Sequence, residues 1–255
     1  MSKNFDDNLD RDKIEQYEEL ILERDKAISD AGSYETGFQK EFGEELLSIY
    51  ELEVECIKLK KIITFIQKKI NLGLELDPEE LNKEIFKEME YYKKVIEERL
   101  AYISNCKESK GISEAEVAEI KRIYRNVVKL IHPDVSDVIE KYDEIAEIWE
   151  GIYDAYIKNN LKSLREKYLL LRKKLDELNI ENNIDIVIEN IDEKIDEIRN
   201  EIVEIKNSVP YIYIEILNDK EKIKEKHEEN EKEKKKYEDY IEELKKAIED
   251  LKKGN

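Results

Sequence analysis

Three observations predict an all-α protein. Apolar residues recur at three- and four-residue spacings through most of the chain, the period of a helix face rather than of a strand. Only 7 glycines and 3 prolines interrupt 255 residues. Charged side chains, dominated by Glu and Lys, make up 43% of the sequence against 40% hydrophobic, a mixture rich in strong helix formers. The regular apolar spacing sets the chain apart from disordered sequences of similar charge. So charged a chain does not suit one thick core. Helical hairpins and coiled coils bury less surface per residue and fit it better.

The first helix is read over residues 10–29, where Ile14, Tyr17, Leu20, Ile21 and Ile28 form one stripe. Ala31-Gly32-Ser33 and Gly37 are expected to interrupt it. A second helix starts near Glu41, with Leu46, Ile49, Leu52, Ile63 and Ile66 on a wide apolar face, and ends at Asn71-Leu72-Gly73, because glycine reaches the left-handed cap conformation without strain. Asp77 as cap and Pro78 at the first helical position restart the chain. A third helix then runs to about Cys106 and is expected to fold back as an antiparallel hairpin.

After a break over Glu108 to Gly111, Ser113 and Glu116 have capping-box spacing. The helix they open carries Val117, Ile120, Tyr124, Val127, Val128 and Ile131 on one face, and it must end near His132 because the residue before a proline is pushed out of the helical region. A short polar connection leads to a helix whose inner face is Ile145, Ile148, Trp149, Ile152, Ala155 and Tyr156, with a stop at Asn159-Asn160. Leu161 to Leu178 is a further helix. Ile184, Ile188, Ile191, Ile195, Ile198, Ile202 and Ile205 then form a heptad seam that packs within the chain or against a second copy. Asn207 to Pro210 is a turn. Tyr211 to Ile216 alternates like a short strand, but no partner strand is visible and a helix start is preferred. The last segment runs to Lys253. Its middle, Lys220 to Lys236 with His227, is expected to be solvated, and its end recovers an apolar stripe from Tyr237 to Leu251. Three regions follow: an N-terminal helical region (1–92), a central region around His132 (93–165) and a C-terminal coiled-coil region (166–255).

The formal net charge of −19 disfavours nucleic acid and anionic membrane surfaces as partners. No run of 18 apolar residues is available for a membrane span, and Met1 to Lys13 carries no apolar signal core. Cys56 and Cys106 lie far apart and read as reduced thiols of a cytoplasmic protein.

One stretch stands out chemically. His132-Pro133-Asp134 brings one of 2 histidines and one of 3 prolines together between two helices. Pro133 stiffens the tip of the hairpin, and His132 and Asp134 are expected to project from it as a fixed polar pair. Lys121, Arg122, Arg125 and Lys129 line the preceding helix and would steer an acidic surface toward this tip on an otherwise negative molecule. With no second histidine or nucleophile nearby, the arrangement suits partner recognition and no enzyme activity is expected. No cofactor or metal is expected either. There is no glycine-rich phosphate loop, and the residues three before the two histidines are Lys129 and Lys224 rather than the Glu of a di-metal bundle.

Residues of roughly 112 to 160 resemble the J-domain of DnaJ-type co-chaperones. The resemblance rests on His132-Pro133-Asp134, on Tyr124 eight residues before His132, on the basic stripe, and on Trp149, Ile152 and Ala155-Tyr156 in the next helix. It implies a co-chaperone that binds a DnaK-type ATPase and stimulates its ATP hydrolysis. His132, Pro133 and Asp134 would be the essential triad, Asp134 would address arginines of the partner, and Lys121, Arg122, Arg125 and Lys129 would meet its acidic surface. The flanking helices would select a client or self-associate. The Tyr-Tyr-x-x-Leu segment of the family's first helix is missing at its usual distance, so the end of the preceding helix, about Lys93 to Cys106, is expected to take its place. Val135-Ser136-Asp137 replaces the basic or amide residues that often follow the triad. A structural coiled-coil adaptor with a vestigial J-like hairpin is the alternative reading.

Overall fold

The computed structural model describes residues 3–109, 111–180 and 190–253, and side chains from residue 12 onward. Every regular element among them is helical: α1 (Lys3–Asn71), α2 (Pro78–Glu108), α3 (Glu114–Ile131), α4 (Val138–Lys141), α5 (Asp143–Ile157), α6 (Leu161–Leu178), α7 (Ile191–Lys206), α8 (Val209–Leu217) and α9 (Lys220–Lys253). No helix among the described residues is long and apolar enough to cross a membrane.

The local signals act as chemistry dictates. The Asp77 carboxylate accepts the Glu79 N–H at 2.9 Å ahead of Pro78. Ser113 and Glu116 form a reciprocal capping box, with the Glu116 carboxylate accepting the Ser113 N–H at 2.9 Å. Gly73 takes a φ of +65° after α1, and Asn159 a φ of +52° before Asn160 caps α6. The Tyr211 to Ile216 segment is helical, within α8.

Three expectations are corrected. The break at Ala31-Gly32-Ser33 and Gly37 is absent, and α1 runs through it. Neither glycine introduces a proline-like loss of hydrogen bonding, so the propensity cost of about 1 kcal/mol each is open to tertiary override. The Asn159 amide donates to both Ser29 (3.1 Å) and Ser33 (3.4 Å), which braces the small-residue stretch. A Cβ on Gly37 would lie 3.1 Å from the Leu217 side chain, a tight contact that a small shift of that leucine would have to relieve. Second, the last segment breaks at Asp219, whose carboxylate accepts the Glu221 N–H and starts α9. Third, His227 is not simply solvated.

The chain clusters into two compact units, each assembled from segments distant in sequence. Neither coincides with one of the three consecutive regions read from the sequence. Unit 1 gathers Met1–Glu35 and Lys110–Ile214. Its core joins Tyr17 and Ile21 of α1 to the apolar faces of α3, α5, α6 and α7. The seam residues Ile195, Ile198 and Ile202 are buried there, within the chain, while Ile184 and Ile188 lie outside the described residues.

Unit 2 gathers Thr36–Ser109 and Glu215–Asn255. The pairs Lys40–Ser109, Lys61–Glu88 and Lys69–Glu80 show α2 running antiparallel to α1, the hairpin expected from sequence. Glu45 with His227, Cys56 with Tyr237 and Lys60 with Tyr240 climb together, so α9 runs parallel to α1. Cys56, Leu59 and Ile66 meet Ile241, Leu244 and Ile248 between them. Both cysteines are free and buried.

In unit 2 both ring nitrogens of His227 face carboxylates, Glu45 at 2.6 Å and Glu41 at 3.2 Å. Glu45 also accepts from the buried Asn230 amide at 2.9 Å. Burial alone would lower the His227 pKa, but the bonds to Glu45 and Glu41 outweigh it and the net shift is upward from 6.5. An upward shift in the folded state stabilises when the group is protonated. This contribution is therefore full below about pH 6.5 and fades as pH rises through the folded value. Titration of the His227 ring by NMR should give a midpoint above 6.5; a midpoint at or below it would remove the carboxylate clamp from the account. Separately, Ser113→Ala should cost about 1 kcal/mol in chemical unfolding.

Candidate functional site

The His132-Pro133-Asp134 turn lies within unit 1, between α3 and α5. The two helices are antiparallel: Tyr124 stacks on Tyr156, with ring centroids 3.7 Å apart, while His132 meets Trp149 edge-on at 4.9 Å. The turn is held by its own backbone. The His132 carbonyl accepts the N–H groups of Val135 and Ser136, both at 2.9 Å, and the Ser136 hydroxyl donates to the Leu130 carbonyl at 3.3 Å. Val135 and Ser136 are buried beneath the turn, so the departure from basic or amide residues after the triad places packing groups there.

His132 does not project. It is 2% exposed. Its Nδ1 accepts the Asp134 N–H at 3.0 Å, which leaves the proton of the neutral ring on Nε2. That nitrogen lies 3.8 Å from the Asp25 carboxylate of α1. Burial is the main cause that lowers the His132 pKa, and Arg24 adds to it, against the opposing pull of Asp134 and Asp25. Pro133 is exposed. Asp134 is half-buried, its carboxylate accepting from the Arg24 guanidinium at 3.2 Å. The expected projecting pair is thus one inward histidine and one rim carboxylate. The reason is α1, which covers this side of the hairpin.

Arg24 and Asp25 were not singled out from sequence. Asp25 is fully buried, and it accepts from the Tyr124 hydroxyl at 2.7 Å and from Arg24 at 3.0 Å. A buried carboxylate is tolerable only when paired and hydrogen-bonded in this way. Arg24 in turn reaches Glu201 of α7 at 3.5 Å. Burial works against the Arg24 charge, but Asp25 and Asp134 outweigh it and raise its pKa. Burial raises the Tyr124 pKa, reinforced by Asp25, and nearby Tyr17 is pushed up to about 12, chiefly by burial. One signal was available: Asp25 sits four residues after Ile21 and three before Ile28, on the apolar stripe of its helix.

The basic stripe stays exposed along α3, but α1 answers part of it. Lys129 pairs with Glu18 at 3.5 Å and Arg125 with Glu19 at 3.3 Å. Lys121 faces a cleft of about 470 Å³ shared with Glu19, Glu23 and Arg125. Arg122 is exposed beside Glu119, which is bonded to Arg165 of α6. The segment Lys93 to Cys106, expected to take the place of the family's first helix, belongs to unit 2. Within unit 1, Tyr17, Leu20 and Ile21 of α1 pack on the hairpin.

The ring nitrogens of His132 face the Asp134 N–H and the Asp25 carboxylate, and no group of three or more His, Cys, Asp or Glu among the described residues could hold a metal ion. What the turn and the helix before it offer to solvent is Pro133, the Asp134 carboxylate and the cations Lys121, Arg122, Arg125 and Lys129. Compared with protein families, curated proteins and solved structures, the chain finds no match, so the functional reading rests on the site itself.

Tyr124→Phe should destabilise the protein by about 1–3 kcal/mol, since it strips a donor from a buried carboxylate. A neutral change in chemical unfolding would mean Asp25 is satisfied some other way. A lowered His132 pKa gives stability that is full above about pH 6.5 and lost as pH falls through the folded value. His132 and His227 should therefore titrate on opposite sides of 6.5 in one NMR experiment.

Proposed function

We propose that this chain is a non-enzymatic co-chaperone that binds a DnaK-type ATPase and stimulates its ATP hydrolysis through Pro133, Asp134 and the stripe of Lys121, Arg122, Arg125 and Lys129. The observation that carries the reading is the rigid His132-Pro133-Asp134 turn at the junction of two antiparallel helices, with cations along the first and Tyr124 stacked on Tyr156 across them. His132 would act from within. By accepting the Asp134 N–H it holds the backbone that carries the carboxylate a partner's arginine would meet. Tyr17-Glu18-Glu19-Leu20 has the Tyr-x-x-Leu spacing of the family's first helix, delivered from far upstream. A cytoplasmic setting belongs to the same proposal, as does the choice of client or location by the remaining helices.

A second reading, a structural adaptor with a vestigial hairpin, is favoured by the burial of His132 against Asp25 and Trp149. Single-turnover ATP hydrolysis by a DnaK-type chaperone separates the two. Stimulation by the parent that is lost in Asp134→Asn and His132→Gln, with circular dichroism unchanged, is expected for the co-chaperone. A folded parent that leaves the ATPase rate untouched at saturating concentration would favour the adaptor.

A further inference from the structure

We infer that unit 2 carries a docking surface for an acidic amphipathic helix of another protein, seated along the outer stripe of α2. Such a surface would serve a co-chaperone or an adaptor alike, so it stands or falls apart from the function proposed for the His132 turn. α2 has two apolar stripes. Ile85, Ile103 and Cys106 are buried in the first, where Ile103 lies close against Gly43 of α1. The second is Phe86, Met89, Lys93, Ile96 and Leu100, whose steps of three, four, three and four residues are those of a heptad seam. Apolar residues scattered singly over a surface need no explanation, but these repeat at the period with which one helix meets another. Phe86 is 74% exposed and Leu100 55%, while Met89 and Ile96 are half-buried. An open cleft of about 1040 Å³ adjoins the stripe and is lined also by Val54 and Lys58 of α1. From Phe86 to Leu100 the stripe is about 21 Å long by helical rise, room for roughly four turns of a docked helix.

Charge chooses the occupant. The chain carries a net −19, yet Lys58, Lys87, Lys93 and Lys94 line the cleft against Glu90 and Glu97. Lys93 sits at the middle of the stripe. It pairs with Glu97 at 3.8 Å where both side chains are largely in water, a contact that contributes little. A helix laid over the stripe removes that water, and the ammonium then needs a carboxylate across from it. A second copy of α2 does not meet this demand. In register, whether parallel or antiparallel with Phe86 against Leu100, it sets Lys93 on Lys93. The stripe therefore disfavours its own copy and favours an apolar helix face with an acidic residue at its centre.

The test uses the full chain and two labelled synthetic peptides of about three heptads, each an amphipathic helix with leucine along its stripe. One carries glutamate at the central stripe position, the other lysine. Fluorescence anisotropy is read for the parent and for Phe86→Ser, Leu100→Ser and Lys93→Glu, all at exposed positions, with circular dichroism as the check on folding. The parent is expected to bind the glutamate peptide at least roughly tenfold more tightly than the lysine peptide. Phe86→Ser or Leu100→Ser should weaken that binding roughly tenfold, and Lys93→Glu should reverse the preference. No binding of either peptide by the folded parent, equal binding of both, or binding unchanged in both serine variants would overturn the proposal. A parent that sediments as a dimer, dispersed by Phe86→Ser, would give the stripe to a second copy and equally overturn it.

Discussion

The buried Asp25 carboxylate is the constraint on which unit 1 turns. A charge with no access to water is stable only if its surroundings supply donors and a counter-charge. Arg24 and Tyr124 supply them, and the Nε2–H of neutral His132 points its dipole the same way. Meeting that demand fixes three things together: the rotation of α1 about its axis, the depth of Tyr124 in the aromatic stack, and the side of the turn to which His132 is drawn. An apolar residue at position 25 would bind the helices without dictating register. The carboxylate accepts one register.

From this follows the asymmetry of the turn. His132 faces the buried charge and is spent on structure, while Asp134 and Pro133 keep contact with solvent. Arg24 joins the two zones, because its guanidinium bonds both the buried Asp25 and the rim Asp134. The same side chain that pairs with the buried Asp25 also pairs with Asp134 at the rim of the turn.

The two histidines show how environment sets sign. His132 is surrounded by aromatic and aliphatic groups, so burial dominates and the neutral ring is favoured. His227 lies in a more open place, where desolvation is the largest single effect but the bonds and charges of two carboxylates together outweigh it and the cation is favoured. Acidity therefore acts in opposite senses on the two units, although each contains one imidazole with carboxylates nearby. Distance adds to the difference in burial: Glu45 and Glu41 lie within hydrogen-bond reach of the His227 ring, whereas Asp25 stands 3.8 Å from that of His132.

The sequence by itself determined whatever depends on near neighbours. The all-α class, the capping box at Ser113, the cap and proline at Asp77-Pro78, the end of α3 at His132 and the stop at Asn159-Asn160 each arise from residues close together in the chain. The turn and its basic stripe were legible for the same reason. Tertiary structure decided the rest. That α1 runs unbroken through Gly32, with Asn159 from far along the chain bonded to Ser29 and Ser33 on either side of it, appears only in the folded chain. How the helices sort into two interleaved units depended on which apolar faces find each other. Whether His132 points out or in depended on Asp25, more than a hundred residues earlier. A helical stripe states that a face will be buried but not against what, since many faces of this chain share the same Ile- and Leu-rich character. Asp25 on such a stripe was the one local sign that something other than packing was at stake, and its partners could be named only once the chain had brought them together.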